Sequence, residues 1–121
     1  MKKTELGAWG EDRAAEYLTD NGYRIVCRNF RCRMGEIDLI AQKEDVLAFA
    51  EVKLRKNSWY GEARQFVTAE KQRKLRLAAS YYLVGNSRAQ NLQPRFDVLE
   101  IYAPHGINGP VRIIHLEDAF E

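Results

Sequence analysis

The strongest constraint on the fold lies between Gly35 and Arg55, where Gly35-Glu36-Ile37-Asp38 is followed by Glu51-Val52-Lys53. Twelve residues separate Asp38 from Glu51, and they read as two strands joined at Lys43-Glu44-Asp45. Side chains at i and i+2 of a strand share a face. Glu51 and Lys53 therefore point one way, and Val52 points the other way into the core. A hairpin can set Asp38 beside that pair. The run Val46-Leu47-Ala48-Phe49-Ala50 is apolar throughout, which predicts a strand covered on both faces. Glu51 and Lys53 then stand where this strand leaves the core, and two carboxylates and an ammonium converge there.

The flanking segments supply the layers that such a strand needs. Leu6, Gly10, Ala14, Tyr17 and Leu18 recur at helical spacing and Asn21-Gly22 is a stop signal, which predicts a helix from Glu5 to Asp20. Gly7 and Gly10 each cost that helix about 1 kcal/mol against Ala, so close packing is the expected reason for them. Strands are predicted over Tyr23–Phe30, Gly35–Gln42, Val46–Lys53, Phe96–Tyr102 and Val111–Leu116. Thr68 is the expected N-cap of a second helix reaching Val84, with Leu75, Ala78, Ala79, Tyr82 and Leu83 as its apolar stripe. Leu54–Gly61, Ser87–Pro94 and Pro104–Pro110 read as loops, the first carrying Trp59 and Tyr60 with a short helical turn after it. The order α-β-β-β-α-β-β is a meander that feeds a helix, which then crosses to a further strand. That pattern predicts a single α/β domain over residues 1–121, a mixed sheet with helices on its faces.

Composition excludes several classes. A chain of 121 residues builds one core without staples. Two cysteines, Cys27 on a strand and Cys32 in a loop, give neither a disulfide framework nor a zinc signature and fit a reducing cytosol. No apolar run approaches the roughly 18 residues of a membrane span. The start Met1-Lys2-Lys3-Thr4-Glu5 turns acidic at once, unlike a signal peptide, so a cytoplasmic protein is expected. The net charge is only +2, but it is segregated. No acid occurs from Asn21 to Gly35, where Arg24, Arg28, Arg31 and Arg33 sit, or from Lys71 to Phe96, which holds Lys71, Arg73, Lys74, Arg76, Arg88 and Arg95. Lys53, Arg55 and Lys56 form a third cluster. Such segregation suits a polyanionic partner, although solvated faces of an ordinary protein would look the same.

Mg²⁺ is a hard ion that takes one or two carboxylates and keeps several waters. Asp38 and Glu51 can supply the carboxylates and the Val52 carbonyl a third oxygen. An ion held there would polarise a phosphoryl oxygen and acidify a water, with Lys53 beside the nucleophile or the developing negative charge. A Glu-x-Lys pair alone is common on solvated strand edges. The preceding Asp38 strand, the buried character of Val46–Ala50 and the order of elements together carry the catalytic reading.

With those residues in view, the chain resembles the restriction-endonuclease-like nucleases with a D…ExK signature. Within them it closely resembles the bacterial YraN-like family, itself similar to archaeal Holliday-junction resolvases. The resemblance rests on Gly7-Ala8-Trp9-Gly10-Glu11, Arg28-Asn29-Phe30-Arg31, Gly35-Glu36-Ile37-Asp38-Leu39-Ile40, Glu51-Val52-Lys53-Leu54-Arg55, Lys71-Gln72-Arg73 and Arg95-Phe96-Asp97-Val98. It covers nearly the whole chain, and its specific part is the combined order of these segments. Ala50 is a minor departure, since this family often has a larger apolar residue before the Glu. The resemblance implies a metal-dependent nuclease fold with Asp38, Glu51 and Lys53 in the catalytic positions and Glu11 near the metal.

The expected function is therefore Mg²⁺- or Mn²⁺-dependent hydrolysis of DNA, branched DNA included. Glu11 would serve as a water-mediated ligand or a base, or else as a solvent-facing helix residue. Glu36 shares the strand parity of Asp38, which suits a place facing the cleft and equally a structural or solvated role. Arg31, Arg33, Arg55, Lys71, Gln72 and Arg73 are the expected nucleic-acid contacts, holding phosphates without reading sequence, and Lys71 and Gln72 open a helix whose N-terminus suits a phosphate. Trp59 and Tyr60 can stack on an unpaired base, or equally cap the core or a dimer contact. Asp97 is expected in an ion pair with Arg95 and Arg28, while His105 and His115 lack ligand spacing and read as incidental. Junction cutting needs two sites, so a symmetric homodimer is expected. The rivals are a non-catalytic nucleic-acid-binding module on the same fold and a structural protein whose charged hairpin forms only ion pairs.

Overall fold

A computed structural model describes residues 4–56 and 67–121. Trp59, Tyr60 and the expected helical turn lie outside the described residues. Helix α1, Glu5–Asp20, begins at Thr4, whose hydroxyl accepts from the Gly7 N–H at 2.9 Å. Strands β1 (Arg24–Cys32), β2 (Gly35–Lys43) and β3 (Val46–Arg55) form the meander. Helix α2, Ala69–Gly85, is capped by Thr68, and β4 (Gln93–Tyr102) and β5 (Arg112–Phe120) complete the chain. The five strands lie in the order β1-β2-β3-β4-β5, antiparallel except for the parallel β3–β4 pair that the α2 crossover requires. The arrangement is the one the pattern of elements predicts.

Alternation along the strands splits the core in two. Ile40, Leu47, Phe49 and Val98 pack with Leu75, Ala78, Ala79 and Tyr82 of α2. Leu39, Ala41, Ala48, Ala50, Leu99 and Ile101 pack with Ala14 and Leu18 of α1. The centre of β3 is thus buried on both faces, as its unbroken apolar run predicts. Gly10 earns its place by proximity, because a Cβ there would come within 3.2 Å of Leu54 on β3.

Several boundaries differ from expectation, some by a single residue and others by more. Cys32 closes β1 and does not lie in a loop. Ser87–Asn91 forms a 3-10 helix where a loop was expected, and β4 already begins at Gln93, whose N–H reaches the Asp45 carbonyl at 2.6 Å. Strand β3 runs two residues further, to Arg55, and Leu54 still faces the α1 core. Strand β5 continues past Leu116 to Phe120, which stacks on Phe96 at 5.1 Å between centroids.

The long β5 depends on Asp97. The β4–β5 register shifts between Phe96 and Val98, and Asp118 opposite this bulge takes a φ of 52°. That left-handed conformation is costly for a residue other than glycine. The Asp97 carboxylate, 1 % exposed, accepts the Asp118 N–H at 3.1 Å, both Nε and Nη2 of Arg95 at 2.8 and 2.7 Å, and binds His115 Nε2 at 2.7 Å. Burial alone would raise its pKa, but the bonds from His115, Arg95 and Asp118 outweigh burial and hold it below the usual carboxylate range. Two expectations are corrected here. His115 is not incidental but a buried partner of Asp97, and Arg28 pairs with Glu11 and Asp12 on α1 instead of Asp97. Both depended on which strand edge and helix meet in space, which spacing along the chain does not encode. Asp97→Ala should cost about 3–5 kcal/mol, because it takes the nearest counter-ion from Arg95 and the acceptor from the Asp118 N–H. Urea unfolding at neutral pH measures this, and a loss below about 1 kcal/mol would mean that the bulge stands without its acid.

Candidate active site

The β2–β3 ladder ends at Leu39 opposite Ala50. One residue further, the Asp38 carboxylate replaces the strand as a partner: its Oδ2 accepts the Val52 N–H at 2.8 Å. This bond ties Asp38 to the backbone just after Glu51. Glu51 is 5 % exposed and Asp38 9 %, so two acids meet in a place from which water is largely excluded. Glu51 titrates above the usual carboxylate range, first because of burial and next because of the charge on Asp38. Lys71 and Lys53 act against both effects without cancelling them.

Lys53 Nζ lies 3.8 Å from Glu51 Oε1, on the strand face that the i, i+2 spacing assigns it. Lys71 comes closer. From the first turn of α2 its Nζ reaches Glu51 Oε1 at 2.7 Å. Burial lowers the Lys71 pKa, but the bond to Glu51 and the charges of Glu51, Asp38 and Glu36 outweigh it and hold the ammonium above the usual lysine value. The sequence reading gave Lys71 to a phosphate-binding surface. Its place on Glu51 follows from the crossover that lays the start of α2 over the end of β3.

A second missed residue is Glu100. The parallel register sets it opposite Lys53, it is 1 % exposed, and its Oε1 accepts Nε of Arg55 at 2.9 Å. Its other oxygen, Oε2, is buried without a hydrogen bond. Burial raises its pKa, with Arg55 and Lys53 opposing. A lone acid inside the apolar run Val98-Leu99-Glu100-Ile101-Tyr102 was the available signal.

The other site residues divide. Glu11, buried on α1, accepts from Arg28 Nε and Asn29 Nδ2 at 3.0 Å each. Asn29, at a φ of 55°, lies between Arg28 and Phe30, whose partners Leu39 and Ile37 flank Asp38. Glu11 is thereby tied to the strand beside Asp38. Arg31, Arg33, Glu36 and Lys74 line a cleft of about 340 Å³ at the β1–β2 turn. A second cleft of about 340 Å³ shares Gly35, Glu36 and Lys74 and leads past Thr68 and Glu70 to Lys71. Arg73 pairs with Glu70 at 2.7 Å, Arg55 turns to Glu100, and Gln72 donates to the Val67 carbonyl at 3.0 Å. Arg31 likewise pairs with Glu36 at 3.2 Å and Lys74 with Glu70 at 3.9 Å, so exposed ion pairs run along this whole surface. A larger concavity of about 490 Å³, lined by Asp12, Arg13, Glu16, Asp20 and Arg28, lies along α1 and holds none of the Asp38 cluster.

The donor set fits a hard divalent ion. Two adjacent buried carboxylates repel unless one takes a proton or a cation stands by, and the chain itself brings an ammonium to one of them at 2.7 Å. Among the described residues no three His, Cys, Asp or Glu gather as a metal cage. An ion held by Asp38, Glu51 and the Val52 carbonyl would therefore keep several waters, which is the habit of Mg²⁺.

The raised Glu51 pKa carries a stability signature. The unfolded chain ionises first, so stability is full below the ordinary glutamate value of about 4.3. It falls as pH rises from there through the folded pKa. Glu51→Gln removes that loss. In chelator at pH 7 the variant should be at least as stable as the parent, with the difference shrinking toward pH 4. Urea unfolding at both pH values checks this, and a variant clearly less stable at pH 7 would make the Glu51–Lys71 pair a net source of stability.

Residues 10–101 match the uncharacterised protein family UPF0102. The chain is similar to a UPF0102 protein of Symbiobacterium thermophilum, 48 % identical over 117 residues that cover 95 % of each chain. A UPF0102 protein of Rhodococcus opacus is 47 % identical over 115 residues, also 95 % of each chain. One from Caldicellulosiruptor saccharolyticus is 44 % identical over 102 residues, 84 % of this chain and 86 % of its own.

Proposed function

The chain belongs to the uncharacterised protein family UPF0102, and from the geometry of its Asp38 cluster we propose that it is a metal-dependent endonuclease that hydrolyses phosphodiester bonds of DNA, branched DNA included. One observation carries the reading: the Asp38 carboxylate, fixed on the Val52 N–H, stands beside buried Glu51 with Lys53 on the same strand. Asp38, Glu51 and the Val52 carbonyl would hold Mg²⁺ or Mn²⁺, which when bound polarises a phosphoryl oxygen and acidifies a water. Asp38 also fixes the Glu51–Val52 peptide, the one just before the Val52 carbonyl. Lys53 holds the water or stabilises the negative charge that grows on phosphorus. Glu100 faces Lys53 across the ladder and limits where its ammonium can go. Glu11 orders Arg28 and Asn29 behind Asp38.

The joined clefts support a polyanion as substrate. Arg31, Arg33 and Lys74 line the approach, and Lys71 stands at its inner end. They would grip phosphates and leave sequence unread. A homodimer would give the two sites that a junction requires, and the free thiols Cys27 and Cys32 suit a cytoplasmic setting. No helix among the described residues is long and apolar enough to cross a membrane.

Two experiments test the reading. Labelled junction, flap, duplex and single-stranded DNA, with RNA counterparts, should reveal Mn²⁺-dependent cleavage. Glu51→Gln and Lys53→Ala should each lower it by about 10²–10³ or more while leaving binding and fold intact. Binding without cleavage of any substrate by the parent would favour the non-catalytic module. Arg31→Ala with Arg33→Ala should flatten the log-affinity versus log-salt slope by roughly 0.7–0.9 per lost phosphate contact. An unchanged slope would make the β1–β2 turn an ordinary solvated surface.

A further inference from the structure

Lys71 has an arrangement that a simple phosphate-binding lysine would not need. Its ammonium makes the shortest ion pair of Glu51 among the described residues, at 2.7 Å against 3.8 Å for Lys53. Its backbone is pinned, with its own N–H donating to the Thr68 hydroxyl at 3.1 Å, so only the side chain can move. That side chain is 43 % exposed while the Glu51 side chain is 6 % exposed. The carboxylate is fixed and buried, and the ammonium is tethered and half in solvent. Lys71 also lines the cleft bounded by Gly35, Glu36, Thr68, Glu70 and Lys74.

Resting on the metal-site reading above, we propose that Lys71 is the built-in counter-ion of the site: it neutralises Glu51 until a divalent ion binds, and is then displaced into the adjoining cleft, where its charge faces an incoming phosphate. Glu51 Oε1 cannot keep an ammonium at hydrogen-bond distance and also coordinate a divalent ion along the same direction. Once both carboxylates lie on the ion, their charge is balanced by it, Lys71 loses the attraction that held it on Glu51, and the flexible lysine stem gives it somewhere to go. Lys53 is a poorer candidate for this exchange, since it sits farther from Glu51 and its strand position faces Glu100. The site would thus acquire its phosphate-binding cation only after its metal, which orders the two events.

Metal binding can be read without any cleavage. Isothermal titration with Mn²⁺ alone should give tighter binding for Lys71→Met than for the parent, by roughly three- to tenfold, the range expected for removing one competing, half-exposed ion pair. Glu51→Gln should bind Mn²⁺ far more weakly than either. In the parent, the side-chain NMR resonances of Lys71 should move on titration with diamagnetic Mg²⁺, with the same midpoint as ion binding. Equal or weaker Mn²⁺ binding by Lys71→Met overturns the proposal and leaves the metal site standing. So does tighter binding with Lys71 resonances that ignore saturating Mg²⁺, because the lysine would then act through its field without leaving Glu51. If neither the parent nor Lys71→Met binds Mn²⁺ at millimolar concentration, the metal-site reading itself fails and this one goes with it.

Discussion

The bond from the Val52 N–H to Asp38 is the point on which the site turns. Strands β2 and β3 pair from Lys43–Val46 to Leu39–Ala50, and there the ladder stops. A backbone N–H at that depth must find an acceptor. Asp38 supplies one, and in doing so it brings a second carboxylate beside Glu51. Ordinary pairing through this point would leave no reason for an acid at Asp38. The end of the ladder therefore converts a structural requirement into a cluster of charge.

That cluster is stabilised by its surroundings more than by its own pairs. The apolar centre of β3, clamped between α1 and α2, fixes where Glu51 leaves the core. The parallel β3–β4 pairing sets Glu100 beside Lys53. The crossover needed for that pairing lays the first turn of α2, with Lys71, across the end of β3. An acid such as Glu51, whose pKa is pushed up by burial and then by the charge of Asp38, is a cost to the fold, and such costs concentrate at functional sites. Asp97 is the opposite case. Its carboxylate is fully partnered and titrates low, and it supports the bulge that lets β5 reach Phe120.

The fold was legible where periodicity was unambiguous. Helix α1, the meander and Thr68 as the cap of α2 follow directly from spacing and stop signals. The strand ends did not, because the β4–β5 bulge depends on a side-chain network of Asp97, Arg95 and His115 that joins distant segments. Asp38, Glu51 and Lys53 were readable because i, i+2 parity and a hairpin suffice to bring them together. Lys71 and Glu100 were not placed, since their positions depend on the crossover and the parallel register. Arg55, Gln72 and Arg73 each have a partner within the chain that spacing alone did not show: Glu100, the Val67 carbonyl and Glu70.

The most direct measurement is anomalous diffraction from crystals of the protein grown with Mn²⁺. A peak about 2.0–2.2 Å from carboxylate oxygens of both Asp38 and Glu51, a distance typical of small octahedral divalent ions, with the Lys71 ammonium withdrawn from Glu51, is the predicted result. A map at saturating Mn²⁺ with no peak between those carboxylates, and Lys71 still seated on Glu51, would contradict it.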